Sequence, residues 1–211
     1  MGSALPLNTR SRSLEYSNAF TPPPSTQAPV WVLPFASGSF NASEAEFGWN
    51  PNSDTVRRFS LPSRPGKDVL SDAGGRKPGI LLIEDNPADA NIIREALEAN
   101  DVHCDLLLIN NGEQAIEFIE NVEAQRSPCP DLVILDLNLP KKTGKEVLER
   151  MRASARCRNV AIVILTSSDS RRDRDDASRC GASAYLKKPS HLDEFLKLGG
   201  VFKGMIGKAL S

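Results

Sequence analysis

From about residue 79 to its end, the chain alternates short apolar runs with longer amphipathic segments. The apolar runs cover residues 80–83, 106–109, 132–135, 160–165 and 184–186. The first four runs lack the polar alternation of a half-exposed strand, which predicts strands that are buried on both faces. Between the runs, apolar residues recur at helical spacing, as at Ile93 and Leu97.

Strand and helix alternate five times, which predicts an α/β fold whose parallel sheet is covered by helices on both faces. We expect a flavodoxin-like, doubly wound sheet of five strands in the order 2-1-3-4-5, with five helices. Asn86 is a cap residue, and Pro87 favours the first position of a helix. In the last helix, Gly199 and Gly200 each weaken the helix by about 1 kcal/mol relative to alanine.

Residues 1–76 differ from the rest of the chain in composition. They contain nine of the fifteen prolines and many Ser, Asn and Thr residues, without persistent periodicity. This composition predicts a disordered extension, whereas residues 77–211 predict one folded domain. The extension has three open interpretations: an inert segment, a tether, or a partner-binding motif around Trp31.

Composition and charge exclude several classes of protein. The formal net charge is -1, which gives no support for binding nucleic acid or an anionic membrane. The apolar runs are too short to span a bilayer. The four cysteines are scattered, which predicts neither a zinc site nor disulfides and favours reduced thiols in a cytoplasmic protein. They are Cys104, Cys129, Cys157 and Cys180.

Polar residues follow four of the five predicted strands. Glu84 and Asp85 follow the first, Asp136 the third, Thr166 ends the fourth, and Lys188 follows the fifth. Ligands bind at the carboxyl ends of the strands in such sheets, so we expect these side chains to converge. Crowded carboxylates need a cation, and their hard oxygen atoms suit Mg²⁺. A carboxylate can also accept a phosphoryl group, while lysine and threonine donate to its oxygens.

Each of these residues alone has a structural explanation. Acidic residues favour helix N-termini, threonine caps helices, and lysine is common on solvated surfaces. Their joint placement at successive strand ends favours a site over coincidence.

Four segments resemble the receiver domain of two-component response regulators, over about residues 79–208. They are Ile83-Glu84-Asp85-Asn86, Leu135 to Pro140 with Gly144, Leu165-Thr166-Ser167, and Gly181 to Pro189. Three features are similar to stand-alone regulators paired with bacterial phytochrome histidine kinases. They are the segment Asp136-Leu137-Asn138-Leu139-Pro140, the longer loop before it, and the segment Leu192-Asp193-Glu194-Phe195.

The resemblance implies that Asp136 accepts a phosphoryl group from the phosphohistidine of a sensor histidine kinase, with Mg²⁺ as cofactor. It implies that Asp85 and Asp136 bind Mg²⁺ directly and that Glu84 acts largely through water. The backbone carbonyl of Asn138 would complete the metal site, and Lys188 would contact the phosphoryl group.

The resemblance also implies that Thr166 and Tyr185 form a switch pair. Phosphorylation would draw the Thr166 hydroxyl inward, and Tyr185 would move into the space it leaves. That movement would change the face built from the fourth helix, fifth strand and fifth helix, where family analogy places a homodimer. Glu84 stands where many receivers carry Asp and should preserve metal binding. Thr143 stands where an acidic or amide residue is common, and we expect it to affect only the loop.

Two other functions are weighed against this one. A Mg²⁺-dependent phosphatase of the haloacid dehalogenase type needs a second Asp two residues after the nucleophile, where this chain has Asn138. A degenerate receiver that acts as a constitutive scaffold would not need the acidic residues, Thr166 and Lys188.

Acidic residues offset the arginines of residues 171–179, and no helix-turn-helix pattern follows Lys188, which argues against a DNA-binding protein. We expect a single-domain response regulator without a separate substrate.

Overall fold

A computed structural model describes residue 1, residues 56–61 and residues 76–210 of the chain. Its strands are β1 (Arg57–Ser60), β2 (Gly79–Ile83), β3 (Asp105–Ile109), β4 (Leu132–Leu135), β5 (Ala161–Thr166) and β6 (Ala184–Lys187). Its helices are α1 (Pro87–Ala99), α2 (Gly112–Glu123), α3 (Gly144–Ala153), α4 (Arg171–Arg179) and α5 (Leu192–Leu210). None of the helices in these described segments is long and apolar enough to cross a membrane.

The strands form one sheet in the order β1-β3-β2-β4-β5-β6. The five strands from β2 to β6 pair in parallel, and counted among themselves they have the predicted order 2-1-3-4-5. Every residue of β2 and β4 is buried, as the all-apolar runs predicted. One core contains residues of α1 and α5, and a second contains residues of α2, α3 and α4. The predicted flavodoxin-like α/β fold is confirmed.

The five predicted parallel strands are present, and β1 adds a sixth strand that the sequence analysis did not predict. It pairs antiparallel with β3, so that Arg57 lies opposite Leu108 and Ser60 opposite Asp105. Leu61 follows β1 and is only 3% exposed in the core beside α1 and α5. A four-residue strand with one apolar side chain has too little pattern to be recognised in a proline-rich segment.

This strand also limits the predicted disordered extension. Residues 57–60 form a paired strand, so the prediction of disorder is wrong for them. Most of residues 1–76, including Trp31, lie outside the described residues. All of the strands and helices in the described residues belong to one compact unit.

Gly199 has a packing role that the sequence analysis did not predict. A Cβ atom at this position would clash with the carbonyl oxygen of Ala96 in α1. Beside it, Asn100 Nδ2 donates to Leu196 O over 2.8 Å, and Lys203 Nζ donates to Asn100 O over 3.0 Å. The low helix propensity of glycine is therefore offset by the close packing of α5 on α1.

A disulfide joins Cys129, in the loop before β4, to Cys157, in the loop before β5. The prediction of reduced thiols is therefore wrong for this pair, whose members are 28 residues apart in sequence. The physical reason is topological: β4 and β5 are parallel neighbours, so the loops that enter them meet at the same edge of the sheet. Cys104 and Cys180 are free thiols, as predicted.

Candidate functional site

The backbone of the sheet positions two buried carboxyl groups just beyond the ends of β2 and β4. Glu84 N donates to Ile109 O over 2.9 Å, and Asp136 N donates to Ile83 O over 3.0 Å. The strand pairing therefore continues one residue past each strand. Glu84 and Asp136 are 2% and 5% exposed, whereas Asp85 is exposed.

The three predicted acidic residues converge. Carboxylate oxygens of Glu84, Asp85 and Asp136 all lie within 4.8 Å of one another. Burial raises the pKa of Glu84 to about 7 and also raises the pKa of Asp85, and the charge of Asp136 adds to both effects. Such crowding disfavours ionisation unless a cation neutralises it. Hard oxygen donors at this spacing, two buried and one open to solvent, fit a Mg²⁺ ion.

Lys188 points its ammonium group into this acidic cluster. Its Nζ lies 2.6 Å from Asp136 Oδ2, 2.8 Å from Glu84 Oε2 and 2.8 Å from Asp89 Oδ2. Its backbone N donates to Thr166 O over 2.8 Å, which extends the pairing of β5 with β6. Burial lowers the pKa of Lys188, but hydrogen bonds to the three carboxylates outweigh burial and raise its pKa above the usual range. Lys188 is therefore a fixed positive charge at Asp136.

Asp89 contacts Lys188, and the sequence analysis did not predict this contact. Asp89 lies in the first turn of α1, whose N-cap Asn86 accepts from Ala88 N over 3.0 Å. Acidic residues are common in first turns because they interact favourably with the helix dipole. The local sequence therefore gives Asp89 an ordinary explanation, and only the position of α1 beside the strand ends shows its contact with Lys188.

The loop after β4 is held close to Asp136. Asn138 N donates to Asp136 Oδ1 over 3.1 Å, and Asn138 Nδ2 lies 3.5 Å from Thr166 Oγ1. Gly144 N donates to Leu137 O over 3.0 Å, and a Cβ atom at Gly144 would clash with the carbonyl oxygen of Asp136. Glycine at this position therefore allows the start of α3 to pack closely against the backbone of Asp136. The metal-binding role of the Asn138 carbonyl stays a prediction.

Thr143 has a larger role than its predicted effect on the loop alone, and that expectation is wrong. It is the N-cap of α3 and forms a capping box with Glu146. Thr143 Oγ1 accepts from Glu146 N over 3.3 Å, and Glu146 Oε2 accepts from Thr143 N over 2.9 Å. The hydrogen bond from the Thr143 backbone, with those from Lys142 and the Thr143 hydroxyl, lowers the pKa of Glu146 to about 2.

The predicted switch residues, Thr166 and Tyr185, are linked through Ser168. Thr166 is fully buried, and its Oγ1 accepts from Ser168 N over 3.3 Å. Tyr185 lies opposite Ile164 on the neighbouring strand and donates from its hydroxyl to Ser168 O over 3.1 Å. The Arg174 guanidinium lies 5.2 Å from the centre of the Tyr185 ring, a cation–π contact. Ser168 and Arg174 were not among the predicted site residues.

Comparison with known proteins assigns the chain to a family. The sequence model of the response regulator receiver domain matches residues 80–198, more than half of the chain. The chain belongs to the response regulator receiver family. Receiver domains are signalling proteins of two-component systems, and they bind Mg²⁺ in an acidic pocket. The strand β1 lies before the matched residues.

Individual relatives support the predicted resemblance to phytochrome-associated regulators. Response regulator Rcp1 of Synechocystis is 32% identical over 130 residues, which cover 61% of this chain and 88% of Rcp1. The solved Mn²⁺-bound form of Rcp1 has a TM-score of 0.56 at 31% identity, covering 60% of this chain and 92% of that chain. The phosphorylated cyanobacterial phytochrome response regulator RcpA has a TM-score of 0.59 at 28% identity, covering 63% and 96%. The predicted resemblance is confirmed.

Proposed function

We propose that this protein accepts a phosphoryl group on Asp136 from the phosphohistidine of a sensor histidine kinase. The observation that carries the proposal is the Lys188 ammonium 2.6 Å from the buried Asp136 carboxylate, beside two further acids. A carboxylate oxygen of Asp136 forms the new bond to phosphorus, the phosphorus–nitrogen bond of phosphohistidine breaks, and its electron pair returns to the imidazole. The product is an acyl phosphate on Asp136.

We further propose that Asp85 and Asp136 bind Mg²⁺ directly, that Glu84 acts largely through water, and that the Asn138 carbonyl completes the site. When bound, the ion neutralises the crowded carboxylates and the charge of the phosphoryl oxygens. Lys188 donates a hydrogen bond to one of those oxygens from its fixed position. Phosphoryl transfer depends mainly on such positioning and charge stabilisation.

In this proposal, phosphorylation of Asp136 changes the conformation of one face of the protein. A phosphoryl group on Asp136 offers the Thr166 hydroxyl a new acceptor, so Thr166 turns toward it and its contact with Ser168 weakens. Tyr185, which is bonded to the same residue, moves with that rearrangement and changes the face of α4, β6 and α5. The proposal includes a homodimer through this face. It does not include binding to nucleic acid or to a membrane.

The proposed kinase partner is of the phytochrome type, because RcpA, to which the chain is similar, is a phytochrome response regulator. A cytoplasmic location belongs to the same proposal. The disulfide between Cys129 and Cys157 removes the argument from reduced thiols that the sequence analysis used for it.

Phosphotransfer from labelled histidine kinases tests the assignment. We expect the wild type to accept label with Mg²⁺ and to lose that ability when the metal is chelated. The variant Asp136→Asn should accept none, because its amide is not a nucleophile of this kind. The control Asp193→Asn removes an exposed carboxylate at the start of α5 and should behave like the wild type. Transfer to Asp136→Asn at the wild-type rate would refute the site.

A further inference from the structure

The Lys188 ammonium contacts three carboxylates, and one of them has no part in the function proposed above. Asp136 is the proposed phosphoacceptor and Glu84 belongs to the proposed metal site. Asp89, at 2.8 Å from Lys188 Nζ, is neither. Resting on that proposed function, we propose that Asp89 is a positioning residue that holds the Lys188 ammonium in place for the phosphoryl group.

The ammonium is surrounded by three carboxylates. Asp136 Oδ2 at 2.6 Å and Asp89 Oδ2 at 2.8 Å accept hydrogen bonds from it, and Glu84 Oε2 forms an ion pair at 2.8 Å. Glu84 and Asp136 extend from the central strands β2 and β4, while Asp89 approaches from α1. Hydrogen bonds between ionised groups are short and strong, and these are partly shielded, since the Asp89 side chain is 23% exposed and that of Lys188 9%.

This arrangement matters because the surroundings of the ammonium change when the proposed reaction proceeds. Asp136 gains a phosphoryl group, and Glu84 belongs to the proposed metal site. Asp89 has no part in either, so it retains one N–H of Lys188 and leaves the others directed toward Asp136. Without Asp89, the four-carbon stem of Lys188 regains rotameric freedom, and the ammonium loses its fixed direction.

A rival explanation treats Asp89 as an ordinary first-turn acid that stabilises α1 through the helix dipole. That role would be measured as stability and would not depend on Lys188. A positioning role acts only through Lys188 and is restored by a side chain that keeps the acceptor oxygen. Asp89→Ala removes charge and acceptor, and Asp89→Asn keeps an acceptor. Glu95→Ala is the matched control, an exposed acid of the same helix.

The first measurement needs neither metal nor phosphoryl donor. In ¹⁵N-labelled, metal-free protein, an ammonium fixed by three carboxylates exchanges its protons slowly and gives a protected NMR signal, which Lys188→Met assigns by its disappearance. We expect this signal to be lost in Asp89→Ala and kept in Asp89→Asn and Glu95→Ala. A protected signal that persists in Asp89→Ala overturns the inference.

The second measurement is a double-mutant cycle on the rate of phosphorylation by acetyl phosphate with saturating Mg²⁺. We expect Asp89→Ala to slow the wild type about tenfold, because misplacing a group that binds the transition state costs this much or more. Asp89→Asn should recover most of the rate. In the slower Lys188→Met background, Asp89→Ala should cause no further loss. An equal loss in both backgrounds overturns the inference, because Asp89 would then act independently of Lys188.

The two measurements separate this inference from the proposed function. A wild type that takes up no phosphoryl group refutes the proposed function, while the ammonium signal still decides whether Asp89 fixes Lys188. Thermal unfolding of each variant shows whether the fold is intact. If Asp89→Ala does not fold, Asp89→Leu replaces it in both measurements, with the same expected and contrary results.

Discussion

Two regions of the sheet satisfy their charged and polar groups in different ways. They are the carboxyl ends of the central strands and the lateral edge at β3. At the strand ends, Glu84 and Asp136 are buried with their charges compensated by Lys188. At the lateral edge, β1 satisfies the backbone of β3 and Leu61 adds an apolar side chain to the core. The first region holds the proposed site and buries charged groups, which is unfavourable, whereas the second contributes stability and holds no predicted functional group.

The two regions differ in how far the local sequence predicts their position in the fold. The predicted residues Glu84, Asp136 and Thr166 each stand directly after an apolar run, so the topology of the sheet predicts where they lie. The strand β1 pairs with a segment more than 40 residues later along the chain, as Arg57 and Leu108 show, and its own sequence is polar. Long-range pairing of a short edge strand is decided by the partner edge, which a local pattern does not reveal.

Removing β1 is expected to have the largest effect on stability and little effect on phosphorylation. A variant that begins at Lys77 lacks the strand and Leu61, and it exposes the unpaired edge of β3. We expect a lower free energy of unfolding and concentration-dependent association, because exposed edge strands pair with other chains. Urea unfolding and analytical ultracentrifugation measure both.

A variant that begins at Val56 is the control, since it keeps β1 and should match the full chain. The variant that begins at Lys77 should still accept a phosphoryl group from acetyl phosphate. Complete loss of phosphorylation in a folded variant that begins at Lys77 would contradict the separation of the two regions.

Leu61→Ala tests the lateral edge by a single side chain. We expect it to lower the free energy of unfolding by about 2–4 kcal/mol, because truncating a buried leucine loses transfer energy and leaves a cavity. The rate of phosphorylation should stay within twofold of the wild type, roughly the scatter expected for distant, independent sites. Val201→Ala removes an exposed apolar group from α5 as a control. A cost below about 0.5 kcal/mol for Leu61→Ala would mean that β1 is not anchored.

Thr143→Ala tests the anchor of the loop near the site and should have the smallest effect. We expect a loss of about 1 kcal/mol at neutral pH, because a cap residue is removed. The pKa of Glu146 is lowered to about 2 from its usual 4.5, so its stabilising contribution is present above the higher value and lost as the pH falls toward the lower one. Thr143→Ala keeps the backbone hydrogen bond and Lys142 and loses only the part that comes from the Thr143 hydroxyl. The difference between wild type and variant should therefore shrink in part over that range.

Thr143→Ser keeps the hydroxyl and serves as the control for this measurement. Unfolding in urea at neutral pH and at pH values approaching 2 gives the comparison. A difference between wild type and Thr143→Ala that grows on acidification would contradict the capping box as its source.

The parts of the site that the sequence predicted are those that follow from strand position. Glu84, Asp85, Asp136, Thr166 and Lys188 each stand at a strand end, and the structure brings their side chains to one edge of the sheet. The parts that it did not predict depend on how separate elements pack. Asp89 reaches Lys188 from a helix, and an acid in a first turn has a sufficient local explanation.

The same dependence on packing explains why the sequence did not predict two other features of the fold. The pairing of Cys129 with Cys157 depends on two loops meeting before adjacent strands. Gly199 weakens an isolated helix, but in the folded protein it allows α5 to approach α1. Periodicity identifies elements and their buried faces, whereas such contacts appear only when the elements are placed against one another.

The most direct test of the central claim is the site and metal dependence of phosphorylation by acetyl phosphate. Mass spectrometry of the intact protein and of its peptides, after reduction of the acyl phosphate with borohydride, gives both. We predict one phosphoryl group per chain, on Asp136, formed with Mg²⁺ and absent when the metal is chelated. A phosphoryl group on another residue, or equal incorporation without a divalent ion, would contradict the account.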